Sequence, residues 1–84
     1  MKGGVHIEYK YIVVESIYKT GTAARTAFGI AAVEEYDGVI MILRSISDIS
    51  SDLKQIERLV QTCNVLRIDL IHLQDVVTDF LATV

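Results

Sequence analysis

The single cysteine, one of the two histidines and three aspartates fall between Cys63 and Phe80, in the stretch CNVLRIDLIHLQDVVTDF. Thiol, imidazole and carboxylate are the groups that nucleophilic catalysis and metal binding draw on, so any chemistry should surface here first. At about 100° per residue, His72, Asp75 and Asp79 share one side of a helix, opposite Leu73, Val77 and Phe80. That spacing could hold a divalent ion, but it is equally what a solvated helix face looks like. A structural zinc takes four protein ligands and a catalytic one takes three held by a second layer of partners. The remaining donors are His6, close to the amino terminus, and Cys63, on the apolar side of the preceding helix. A reactive thiol also needs a histidine, a cation or a helix N-terminus beside it. Cys63 instead stands at a helix C-terminal end, where the dipole opposes a thiolate, and it completes the apolar stripe Leu53, Ile56, Val60. The stretch reads as a bend between two ordinary helices. No catalytic residue is assigned, and His72, Asp75 and Asp79 stay a candidate metal face only.

Other motifs fall to similar arguments. Lys19-Thr20-Gly21 and Ser51 to Lys54 imitate the paired motifs of penicillin-binding enzymes, but in reversed order and in a chain too short to enclose that cleft. Gly3-Gly4, Gly21, Gly29 and Gly38 form neither a phosphate-cradling loop nor a dinucleotide fingerprint, so no cofactor is expected. Lys10, Arg25 and Arg44 on one sheet face, without interleaved aromatics, make a thin footprint for nucleic acid. The formal charge of -3 argues further against nucleic acid or anionic lipid. The longest strictly apolar run, Val39 to Leu43, is far short of the roughly 18 residues a membrane span needs. With no apolar leader in MKGGVHIEYK and one thiol, the expected compartment is the reducing cytoplasm.

The length of 84 residues predicts one domain, 1–84. Residues 6–18 are β-branched and aromatic with a partial period of two, and Gly21 in KTGT marks a hairpin turn. Residues 23–33 are alanine-rich, which favours helix, but Gly29 and the flanking turns favour strand. That glycine predicts a bulge, or a place where another backbone packs close. Asp37-Gly38 is a hairpin turn, and Val39 to Ile46 form a third strand. The segment DISSD (48–52) offers helix caps. Leu53, Ile56, Leu59, Val60 and Cys63 then recur at helical spacing, with Asn64 placed for a left-handed cap. Asp69 can cap a second helix with the stripe Leu70, Leu73, Val77, Phe80 and Val84. The fold class is α+β: a three-stranded antiparallel β-meander followed by two amphipathic helices packed on the sheet, β-β-β-α-α.

Composition then poses a question of area. Hydrophobic residues make up 51% of the chain, rich for so short a protein, which has no second cysteine to form an internal disulfide. A first turn at Thr20-Gly21 would set Val13 against Phe28 and Tyr11 against Ile30. An even second loop adds Val39, Met41 and Leu43 to that face, and the helices cover it. The other face would show Ile12, Val14, Ala27, Ala31, Val33, Ile40 and Ile42, bordered by Glu8, Lys10, Arg25 and Arg44. Two short helices cannot cover both sides, and an apolar centre inside a charged border marks an interaction site. The expectation is a homo-oligomer, most simply a dimer, or a module for an unknown protein partner, using Ile12, Val14, Val33, Ile40, Ile42 and Arg44. The alternative is a small enzyme or metal protein built on His72, Asp75 and Asp79.

The segments AFGI (27–30), DISSD (48–52), TCN (62–64) and HLQDVVTDFL (72–81) resemble a family of short proteins of unknown function from clostridia-like Gram-positive bacteria. The resemblance implies a cytoplasmic bacterial protein and carries no activity, cofactor or site with it.

Overall fold

The computed structural model describes residues 9–83. His6, Ile7, Glu8 and Val84, which enter the expectations above, lie outside that range. Strands β1 (Lys10–Thr20), β2 (Ala23–Tyr36) and β3 (Val39–Ser50) form one antiparallel sheet in the order β1-β2-β3. Helix α1 (Leu53–Leu66) follows, then a 3₁₀ turn over Leu70–His72 and helix α2 (Leu73–Thr83). This is the β-β-β-α-α order expected. The alanine-rich segment is a strand because it is central: both its edges are hydrogen-bonded, and tertiary pairing overrides alanine's preference for helix.

Both turns use residues that tolerate positive φ. At the second, Asp37 (φ 55°) and Gly38 (φ 80°) make the two-residue loop. At the first, the loop is Gly21-Thr22, not Thr20-Gly21, with Gly21 at φ 62° in its first position. The one-residue displacement moves the register by two, so Val13 faces Ile30 and Tyr11 faces Ala32. A shift of two keeps every side chain on its expected face.

Strand β3 departs further from the expected pattern. Ala32 pairs with Arg44 and Val33 with Ile42, leaving Leu43 as an extra residue in a bulge. A second irregularity separates Ile30↔Ile46 from Phe28↔Ser50, with Asp48 there at φ 56°. Gly29 lies beneath this arch. A Cβ built on it would overlap the Ile46 carbonyl oxygen and stand 2.7 Å from Ser47 Cα. The close backbone approach expected at Gly29 is therefore present, and it supplies the reason for glycine there.

The core joins one sheet face to both helices. Tyr11, Ile30 and Ala32 pack with Ile56, Leu59 and Cys63 of α1 and with Leu73 and Val77 of α2. Asp52 caps α1, its carboxylate accepting from the Lys54 N–H at 3.0 Å. At the end of α1, two expectations fail. The left-handed residue is Arg67 (φ 51°), whose N–H bonds back to the last turn, and Asn64 lies inside the helix. Asp69 precedes the 3₁₀ turn, but its backbone oxygen rather than its side chain accepts there, from His72 N–H at 2.9 Å.

Val39, Met41 and Leu43, expected in this core, are instead 60%, 54% and 37% exposed. Val39 and Met41 pair with Tyr36 and Glu34, on the helix side as expected, but those pairs lie past Lys10↔Val33, the last described pairing of β1 with β2. The β2–β3 hairpin overshoots the part of the sheet that the helices cover.

Candidate protein-interaction surface

The residues with chemical potential do not converge. Cys63 is fully buried among Tyr11, Leu59 and Leu73, and burial pushes its thiol above the usual range, the reverse of what a nucleophile needs. His72, Asp75 and Asp79 are exposed, and Asp79 lines the groove between the helices beside Arg58. Among the described residues, no three His, Cys, Asp or Glu side chains stand together as an ion site would require. Lys10, Arg25 and Arg44 do not share a sheet face, because the Leu43 bulge brings Arg44 opposite Ala32 on the helix side. Arg25 is engaged elsewhere: its guanidinium forks onto the Asp48 carboxylate at 3.1 and 3.3 Å and lies 4.8 Å from the centre of the Tyr18 ring.

Among the described residues, β1 and β3 are the edge strands of the sheet, and they are treated differently. An edge strand exposes unpaired N–H and C=O groups that invite another strand. On β1, the Asn64 side chain answers them: its Oδ1 accepts from Tyr11 N–H at 2.8 Å and its amide donates to Tyr11 C=O at 2.9 Å. An asparagine amide here imitates one peptide of a neighbouring strand. The Tyr11 hydroxyl donates to the Ile68 carbonyl, and Leu70 N–H donates to the Tyr9 hydroxyl at 3.0 Å. The two rings meet edge to face, 5.8 Å apart. Burial, with Tyr9 and Cys63 nearby, pushes the Tyr11 phenol up to about 12. The α1–α2 bend is thus stitched to β1. Sequence reasoning missed this role for Asn64. The available signal was a polar residue beside the apolar stripe, together with two tyrosines on one strand face.

On β3 the described structure shows no such cover. Ile40 and Ile42 are each 64% exposed on the sheet face away from the helices. Ile12 and Val14 are half-buried on that face. Val33 is buried, as are Ala27 and Ala31, because small central-strand residues are overshadowed by their neighbours on β1 and β3. Arg44, expected to border this face, lies on the other. The exposed apolar surface therefore runs along the hairpin end from Val39 to Leu43 rather than across the middle of the sheet. A second exposed group, Val65, Leu66 and Ile71, marks the α1–α2 bend. A shallow groove of about 310 Å³ separates the helices, lined by Arg58, Leu59, Val76 and Phe80 among others. No helix among the described residues is long and apolar enough to cross a membrane.

Fold and surface together define a small α+β protein whose helices close one face of an open sheet. The chain belongs to a family of unknown function (DUF6514), whose model matches residues 2–83. No curated protein and no solved structure matches it.

Proposed function

We propose that this chain is a small bacterial, cytoplasmic interaction module that self-associates through the apolar end of its β2–β3 hairpin. The observation that carries the reading is the exposure of Ile40 and Ile42, at 64% each, within an uncharged run on an edge strand. Burying one such side chain stabilises by roughly 1.5–3 kcal/mol, a gain that association can collect and a lone chain cannot. A thiol buried in the core, with its pKa raised by that burial, and a histidine exposed to solvent favour binding over catalysis.

Light scattering on a sizing column at micromolar concentration tests this. The wild-type average mass is expected to climb from 9.4 kDa toward twice that value as concentration rises through and above the micromolar range, and Ile42→Glu to stay at the monomer mass with an unchanged circular dichroism spectrum. A wild-type monomer across that range refutes self-association.

A further inference from the structure

The hairpin end has a definite pairing geometry. Residues flanking a two-residue hairpin loop exchange both of their backbone hydrogen bonds, and alternate residues beyond them turn outward. Tyr36 and Val39 flank the Asp37-Gly38 loop, so Val39 and Met41 direct their amides to β2. The N–H and C=O of Ile40 and Ile42 point away from the sheet. Neither lysine, proline nor an inward charge occurs between Val39 and Leu43, and the one edge protection there, the bulge, stands at the far end of the run at Leu43. At the opposite edge the equivalent groups of Tyr11 are met by Asn64.

We propose that the occupant of this edge is β3 of a second copy, running antiparallel about a two-fold axis at Met41, so that two three-stranded sheets become one of six strands. The inference rests on the self-association argued above and specifies its mode. Three features select this partner and register. First, the axis pairs Ile40 with the partner's Ile42 and the reverse, matching outward N–H to outward C=O twice. Second, those side chains stand side by side on one face, and the two Met41 residues face each other at the centre. Third, just past the Leu43 bulge the chain carries Arg44 toward the partner's turn, where Asp37 supplies the opposite charge. Moving the axis to Ile42 sets Arg44 against the partner's Ile40, and moving it to Ile40 leaves Ile42 against glycine. Each keeps one isoleucine pair at its centre but loses the second, whereas the axis at Met41 retains two.

The extent is modest. Five residues exposed by 37–64% offer on the order of 400 Å² of apolar area per copy. The bulge at Leu43 ends the regular stretch. Such an interface belongs to the weak, transient class, with dissociation in the micromolar range.

Disulfide trapping tests the register. Met41→Cys, exposed and opposite its own symmetry mate, is expected to cross-link to a covalent dimer under mild oxidation. Val39→Cys is expected not to, because the two positions stand four residues apart along the strands, roughly 13 Å and beyond disulfide reach. Wild type, with Cys63 buried, serves as the blank. Amide exchange at Ile40 and Ile42, slowing as protein concentration rises, reads the same pairing without a substitution. A dimer by light scattering that lacks this protection, or that cross-links equally at both positions, overturns the edge pairing but leaves self-association standing. A monomer by light scattering overturns both.

Discussion

The two edges of this sheet, each one strand away from the same central strand, differ: β1 is covered at Tyr11, and β3 is uncovered at Ile40 and Ile42. On β1, Asn64 of α1 occupies the hydrogen-bonding positions of Tyr11, and the phenols of Tyr9 and Tyr11 fasten the α1–α2 bend to the strand. On β3, the apolar run Val39 to Leu43 projects beyond the helices with large side chains exposed on both faces. The difference teaches that an edge is closed by a side chain that happens to reach it, not by the strand's own composition. The tyrosines of β1 would be no less inviting to a partner than the isoleucines of β3 if α1 ended one turn earlier.

Substitutions can break this contrast, beginning with the largest effect. Gly29→Ala drives a methyl group into the β3 backbone, where a Cβ would sit 2.7 Å from Ser47 Cα and closer still to the Ile46 carbonyl oxygen. Because the obstacle is backbone, it cannot swing aside, and a loss of about 3 kcal/mol or more in urea unfolding is expected. An unaltered midpoint would show that the arch is not what positions β3. Next, Asn64→Ala strips the cover from β1 and leaves Tyr11 N–H and C=O to water. With solvent access to the helix surface, the cost is expected at about 1–2 kcal/mol, and the Tyr11 amide should lose its exchange protection. Retained protection would mean that another group closes that edge.

Alkaline titration sharpens the comparison from the same side. Tyr11 titrates at about 12 in the folded chain and near 10 when unfolded. Between those values the folded state holds the proton that the unfolded state has lost, so stability falls as pH rises through that window. Following the melting temperature from pH 9 upward should show a decline that Tyr11→Phe reduces. Equal slopes in both proteins would remove Tyr11 from the account. The smallest effect on stability is expected for Ile42→Glu, within about 0.5 kcal/mol of wild type, because its side chain is already mostly in water. That variant should lose association alone, and a large drop in its melting temperature would place Ile42 in the fold rather than at a contact.

Much of the architecture is legible in the sequence. Period-two and period-three-to-four patterns give the three strands and two helices in order, Asp37-Gly38 gives its turn, and Asp52 its cap. Gly29 is readable as a close approach because a strand interior forgoes a side chain chiefly where the chain must bulge or another backbone must come near. The failures are all non-local. The Gly21 loop slides by one residue, and Leu43 becomes a bulge that turns Arg44 to the other face. Asn64 has the local look of a helix end, yet its partner lies 53 residues away. Of the residues expected to form an interface, Ile40 and Ile42 are open, Ile12 and Val14 half so, and Val33 is buried.

What the chain determined alone is a set of local preferences: which segments alternate, which spiral, where they turn, and that apolar residues exceed what two helices can shelter. Only the assembled fold decided where the excess lies. Coverage depends on the stagger of strands and the reach of helices across the sheet, and those lengths are set by pairings between residues far apart in sequence. A single bulge or slipped turn moves the uncovered surface from the middle of a sheet to the end of a hairpin without changing one local preference.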